Sequence, residues 1–161
     1  MFLYNWYHNW KYRTQYERIR QRHAELEEKN KNLDLLEVPH ERMQEIAFAT
    51  AIALLQGLKD GKYSSHEIVS VYVKRCVTFG RKYAWTADTL YHVALEDAKK
   101  CDVALQQARA EGTIEKLYEE KPLFGLPFSV KDHLHVKGSA STLGFLRTAF
   151  ITQQKDTTTI A

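Results

Sequence analysis

Apolar residues recur at helical spacing through the middle of the chain. Phe48, Ala51, Ile52, Leu55 and Leu58 follow one another at intervals of one or three residues. This spacing places them on one side of a helix and predicts that this side is buried. A glycine follows at residue 61, where a helix of this length would end.

Two further helices are predicted downstream. Ser64 and Glu67 have the spacing of a capping box, in which the serine hydroxyl binds an amide of the first helical turn. The helix that they begin is expected to bury Ile68, Tyr72, Cys76 and Phe79. The next helix is expected over residues 87–110 and ends before Gly112 and Thr113. Its apolar positions are Leu90, Ala94, Ala98, Cys101, Leu105 and Ala108.

The pattern changes at Pro122. Glycines and prolines now separate short runs that are rich in Phe, Val, Leu and Thr, a composition typical of strands and tight turns. We therefore expect an α/β fold, in which a helical N-terminal region leads into the first strands of a mixed sheet covered by helices. A sheet with so few strands is not a finished fold.

The N-terminal segment differs from the rest in composition. Large aromatic residues crowd into the first sixteen positions, and a charged, solvated helix with a thin apolar stripe is predicted over residues 11–31. The aromatic residues suit a membrane–water interface, and the arginines that follow suit anionic headgroups. The commoner explanation is a helix whose aromatic residues pack on the protein or on a partner chain, because the apolar stretch is too short to anchor by itself. We expect residues 1–40 to form an arm and residues 41–161 to form the globular part.

Composition narrows the class of protein. The net charge of +3 is too small to indicate nucleic-acid binding. No run reaches the roughly 18 apolar residues of a membrane-spanning helix, and no signal peptide is recognisable. An intracellular location is expected, either cytoplasmic or peripheral to a membrane. Cys76 and Cys101 fall on predicted helical stripes and are expected to be reduced thiols.

Lys131 is the candidate catalytic residue. If Phe128–Lys131 is a strand, Ser129 and Lys131 face one side while Phe128 and Val130 face the other. A lysine in a buried polar pocket loses hydration, which lowers its pKa and lets the neutral amine accept a proton from a serine hydroxyl. From spacing alone, a surface lysine is the commoner explanation.

Nearby residues offer weaker candidates. Ser129, Ser139 and Ser141 are close to Lys131 in sequence, but none lies in a Gly-x-Ser-x-Gly turn. His133 and His135 are two potential metal ligands, whereas a closed site needs three or four, so an exposed loop is favoured and no metal is expected. Asp132 is expected to form a structural hydrogen bond or ion pair.

The segment around Lys131 resembles the amidase signature family. The matching residues are Pro122, Leu123, Gly125, Leu126, Pro127, Val130, Lys131 and Asp132, then Lys137-Gly138 and Thr142-Leu143-Gly144. Residues 61–75 and 94–102 resemble helices that precede this segment in the family. The Ser-Thr-Leu-Gly run at 141–144 and the charged arm are most similar to the fatty acid amide hydrolase branch.

The resemblance implies a Ser–Ser–Lys amide hydrolase that acts on lipophilic amides without a cofactor, with Lys131 as the general base. It implies a Gly/Ser-rich segment for the two serines and the oxyanion hole, yet these 161 residues contain no Gly-Gly pair. We therefore expect an N-terminal portion of such an enzyme, inactive by itself. The alternative is a non-catalytic subunit for assembly or membrane docking, which binds a membrane surface or partner chain through residues 1–31 or self-associates.

Overall fold

The structure, a computed structural model, describes residues 1–80, 82–83, 85–149 and 151–157. Within these ranges the regular elements are helices. They are α1 (Phe2–Lys11), α2 (Arg13–Lys29), α3 (His40–Phe48), α4 (Ala51–Lys59), α5 (Ser65–Arg75), α6 (Tyr91–Ala110) and α7 (Ile114–Glu120), with a π-helical turn at Cys76–Gly80 after α5. The chain divides into two compact units.

The first unit comprises Met1–Asn32, Ala87–Leu90 and Ser129–Ala161. It contains α1, α2 and the loops that carry the second half of the family-like segment. Asn30, just after α2, donates to the backbone oxygen and to the hydroxyl of Thr89, each at 3.0 Å. Leu26 is the buried residue of α2, in agreement with its predicted apolar stripe.

The second unit comprises Leu33–Thr86 and Tyr91–Phe128. Its core is one cluster of buried side chains contributed by α3, α4, α5, α6, α7 and Tyr63. The cluster consists of Ile46, Leu54, Leu58, Tyr63, Ile68, Val71, Leu105 and Tyr118. A smaller cluster joins α5 to α6 through Val69, Val73, Leu95 and Ala98. Helix α5 therefore packs on two sides, which explains why it buries more residues than any other described helix.

Local sequence signals set the helix ends in this unit. Ser64 Oγ accepts a hydrogen bond from the Glu67 amide at 2.9 Å, so the predicted serine cap is confirmed. The Asp102 carboxylate accepts from the Ser65 and His66 amides, where a negative charge favours the start of a helix. Gly61 and Gly112 have φ values of +73° and +69°, in keeping with the predicted helix stops.

Some predicted core positions are wrong. Phe48 and Ile52 are each 79% exposed, and Phe79 is 39% exposed. The buried positions of α4 are Leu54, Gly57 and Leu58, because the helix packs with a face that is rotated from the predicted one.

Cys76 and Cys101 are free and half-buried, and burial raises the pKa of each thiol.

The predicted mixed sheet is wrong for the part of the chain that the structure describes, which is helical and contains no strand. Turns occupy the start of the segment, where Phe124 N donates to Lys121 O and Leu126 N donates to Leu123 O, each at 3.1 Å. A strand is defined by hydrogen bonds to a neighbouring strand, and residues 127–131 have no such neighbour in the described ranges. Composition favoured an extended backbone, but it could not supply a partner strand.

Candidate functional site

The family-like segment divides between the two units at Phe128 and Ser129. Its first half belongs to the second unit, where Gly125 O accepts from Ser65 Oγ at 2.7 Å. Gly125 has a φ of +85°, and a Cβ there would lie 3.2 Å from Leu58 Cδ1. Glycine at this position therefore serves both the turn and the close contact with the core.

Lys131 begins a turn in the first unit. Its carbonyl accepts from the Leu134 amide at 3.0 Å, and its side chain is exposed. Within the described ranges, the structure records no hydrogen bond or ion pair of the Lys131 ammonium group. The backbone of the residue is thus held while its amine is presented outwards. Its catalytic role stays a prediction.

Asp132 connects two parts of the loop that lie ten residues apart. Its Oδ1 accepts from the Thr142 amide at 2.9 Å, and its Oδ2 accepts from Thr142 Oγ1 at 2.8 Å. Thr142 Oγ1 in turn accepts from the Gly144 amide at 3.0 Å. The Thr142 amide holds the pKa of Asp132 below its ordinary value, because the hydrogen bonds favour the charged carboxylate. The structural role predicted for Asp132 is confirmed.

We call residues 131–144, closed by the Asp132–Thr142 hydrogen bonds, the signature loop. Three of its residues have positive φ: Gly138 at +83°, Leu143 at +53° and Gly144 at +76°. For Leu143 this conformation costs about 1 kcal/mol, because its Cβ crowds the backbone. Thr142, bound to Asp132, and Gly144, whose amide donates to Thr142 Oγ1, hold Leu143 in this conformation from either side.

The three serines that are close to Lys131 in sequence lie in different surroundings. Ser141 is buried and its Oγ donates to Leu134 O at 2.7 Å, which closes the signature loop from inside. Ser139 N donates to Val136 O at 2.9 Å, and Ser129 is exposed. The structure records no hydrogen bond between any of them and Lys131, so it gives no support to a local Ser–Lys pair.

His133 and His135 are both exposed. In the described part of the chain, no three His, Cys, Asp or Glu side chains are grouped so that they could hold a metal ion.

Sequence reasoning missed Arg22. Its Nη2 donates to Asp88 Oδ2 at 2.6 Å and to the Gly138 carbonyl at 2.9 Å. The same Asp88 oxygen accepts from the Ala140 amide at 2.9 Å. Arg22 lies in a charged run that is predicted to be solvated, and Asp88 is 66 residues away. No local pattern signals such a pair, which ties α2 to the signature loop.

Comparison with known proteins places this loop in a family. The model of the amidase family matches residues 67–161, more than half of the chain. The chain belongs to the amidase family. The matched region contains the whole signature loop, so the resemblance seen in the sequence is confirmed at the level of the family.

Curated relatives agree with this assignment. An amidase of Gibberella moniliformis is 31% identical over 98 residues, which cover 60% of this chain and 17% of that protein. A putative amidase of Schizosaccharomyces pombe is 31% identical over 111 residues, or 69% of this chain and 19% of that protein. The vitamin D3 hydroxylase-associated protein of Gallus gallus is 25% identical over 120 residues, which cover 74% of this chain and 22% of that protein.

This amidase-family chain spans about a fifth of the length of those relatives. No solved structure matches it. In the described residues, no helix combines the length and the apolar character needed to cross a bilayer.

Proposed function

We propose that this chain contributes the lysine-bearing portion of an amide hydrolase, with Lys131 as the general base. The observation that carries the proposal is the arrangement of the signature loop. The backbone of Lys131 is fixed by the turn to Leu134 and by the neighbouring Asp132–Thr142 hydrogen bonds, while its amine remains exposed for another group. A base has to be positioned within hydrogen-bond reach of the proton that it removes.

The proposed reaction is acyl transfer through a serine. A nucleophilic serine Oγ attacks the amide carbonyl carbon, its proton passes through a second serine to the Lys131 amine, and the C–N bond breaks. The same proton leaves with the amine product. Water then hydrolyses the acyl-serine to a carboxylic acid and restores the hydroxyl. No cofactor takes part in this scheme.

The two serines and the oxyanion hole would be contributed by sequence other than these 161 residues, or by another chain. Ser141 is committed to Leu134, and the 161 residues contain no Gly-Gly pair that would suit a glycine-rich oxyanion hole. A base without a nucleophile performs no acyl transfer. The 161 residues alone would therefore be inactive.

Lipophilic amides, such as fatty acid amides, are the substrate class that we propose. Support comes from the Ser141–Gly144 run, which is most similar to the fatty acid amide hydrolase branch, and from the aromatic N-terminal helix. Ten-residue α1 has no buried residue, so its aromatic side chains are available to an apolar phase. The second candidate, a non-catalytic docking subunit, is favoured by the same exposed helix.

The test starts from the native protein, captured from its source with an antibody against residues 1–40. The captured protein is treated with a fluorophosphonate, which reacts with activated serines, and its intact mass is measured before and after. We expect the addition of one phosphonyl group, on a serine other than Ser129, Ser139 and Ser141. A native protein or complex that takes up no label would support the docking subunit and overturn the hydrolase.

A further inference from the structure

The aromatic residues of the N-terminal segment fall into two sets on opposite sides of the helix. Along one side, the rings of Tyr4, His8, Tyr12 and Tyr16 follow one another at i, i+4 spacing. Neighbouring ring centroids are 6.0 Å apart for Tyr4–His8 and 4.7 Å apart for His8–Tyr12. Tyr16 Oη also lies 3.5 Å from His8 Nδ1. This ladder of rings spans the junction of α1 and α2.

The other side of α1 is apolar and exposed. At 100° per residue its large apolar side chains occupy an arc of about 140°. These residues are Phe2, Leu3, Trp6, Tyr7 and Trp10, and each is at least 49% exposed. Large exposed apolar patches mark interaction sites. Asn5 and Asn9 border this arc on the polar side of the helix.

Positive charge follows directly after the apolar arc. Residues 1–24 contain five Lys or Arg and one Asp or Glu, which is +4, whereas the remaining residues have 18 and 19, which is −1. Trp6 and Trp10 line a groove of about 650 Å³ together with Asn9, Arg13, Tyr16, Glu17 and Arg20. Arg13 Nε lies 2.9 Å from Glu17 Oε1 in an exposed ion pair, which leaves Arg20 as the other basic group of the groove. The tryptophans and the two guanidinium groups thus border the same groove along α1 and α2.

We infer that α1 binds the surface of a bilayer that contains anionic lipids and lies along it. The apolar arc would enter the headgroup and acyl boundary, where tryptophan and tyrosine side chains are favoured. Arg13 and Arg20 would bind lipid phosphates at the same depth, where each basic residue contributes to binding. The complementary charge selects a lipid surface rather than a second copy of this chain, since a second copy would bring the same +4 segment. This inference concerns the location of the protein and does not depend on the proposed hydrolysis.

The chain provides a matched control for the experiment. It has three tryptophans, and Trp6, Trp10 and Trp85 are 61%, 65% and 64% exposed. Binding is measured by co-sedimentation with vesicles of phosphatidylcholine alone and with vesicles that also contain 30% phosphatidylserine. The variants are Trp10→Ser, Trp85→Ser and the double variant Arg13→Gln/Arg20→Gln. Because all the substituted side chains are exposed, circular dichroism should show the same fold for all of these variants.

We expect binding to the anionic vesicles that weakens at high salt. Trp10→Ser should reduce the affinity at least about tenfold, because a buried aromatic side chain is lost. The double arginine variant should reduce it about twentyfold or more, near fivefold for each charge. Trp85→Ser should match the wild type. Equal binding to neutral vesicles, equal loss in Trp85→Ser, or self-association that buries Trp10 without any vesicle binding would overturn the inference.

Discussion

Arg22 and Asp88 form an ion pair of 2.6 Å, and Asp88 also accepts the amide of Ala140 in the signature loop. The two side chains are only 14% and 20% exposed, so solvent screens the pair far less than a surface ion pair. The N-terminal helix α2 thereby supports the loop that presents Lys131. An arm that looks merely solvated in the sequence contributes to the candidate site.

Removing this arginine should loosen the signature loop. We expect Arg22→Ala to speed hydrogen exchange of the Ala140 amide about tenfold to a hundredfold, because a charged hydrogen bond contributes about 1.5–3 kcal/mol. Arg13→Ala is the control, since its pair with Glu17 is 78% and 47% exposed and should contribute less than about 1 kcal/mol. Equal exchange rates in the two variants would show that Arg22 does not hold the loop.

The Asp132 carboxylate should report acid opening of the loop. Its pKa is lowered in the folded protein, so its contribution to stability is present above the unfolded value of 3.8. That contribution is lost as the pH falls below 3.8 through the folded value. NMR titration of the Thr142 amide proton should show this inflection, and Asp132→Asn should abolish it. An inflection above pH 3.8 would contradict the hydrogen-bonded geometry.

Tyr118 and Tyr63 should respond oppositely to loss of the hydroxyl. The buried Tyr118 hydroxyl has no hydrogen-bond partner among the described residues, whereas Tyr63 Oη donates to Glu45 Oε1 at 2.8 Å. Tyr118→Phe should raise the free energy of unfolding by about 1 kcal/mol, and Tyr63→Phe should lower it by a similar amount. Urea unfolding followed by circular dichroism measures both values.

Tyr118→Phe should also remove a loss of stability at alkaline pH. Burial raises the pKa of Tyr118 to about 12, from 10 in the unfolded chain. The contribution of Tyr118 to the free energy of unfolding is therefore fully present below pH 10 and is lost as the pH rises from 10 towards 12. Between pH 10 and 12, the free energy of unfolding should fall more in the wild type than in Tyr118→Phe. Parallel decline in the two proteins would mean that Tyr118 is hydrated.

Gly57 should be required for packing, although it lies inside a helix. A Cβ at this position would be 2.1 Å from Tyr63 Cδ2, well inside van der Waals contact. Gly57→Ala should cost about 1–3 kcal/mol of unfolding free energy, instead of giving the usual helical gain. In a Tyr63→Ala background this cost should disappear, and a cost that persists there would assign it to another cause.

The sequence predicted the helices well where their signals are local. Ser64 and Gly112 mark helix ends by the chemistry of single residues, and both predictions agree with the structure. The helical faces were harder, because Ile52 and Leu54 are two positions apart and only tertiary packing decides which is buried. The prediction of a sheet was wrong for a related reason, because strand pairing depends on residues that are distant in the chain.

In the candidate site, too, some residues could be predicted from local sequence and others could not. Lys131 and Asp132 could be found from a local motif, and the Asp132 hydrogen bond to Thr142 closes a span of only ten residues. Arg22 could not be found, because its partner is 66 residues away and has no surrounding pattern. Long-range charge pairs of this kind require the fold before they can be recognised.

The most direct test of the account replaces Lys131 in the native protein and measures hydrolysis of a long-chain acyl p-nitroanilide. We expect Lys131→Ala to lower kcat/KM by about 10²–10⁴-fold, the usual contribution of a general base. Lys131→Arg should fail equally, because a guanidinium cannot give up its proton to act as a base. Lys155→Ala, at an exposed lysine of the same unit, should retain full activity. Undiminished hydrolysis by Lys131→Ala, or rescue by arginine, would contradict the assignment of Lys131 as the base.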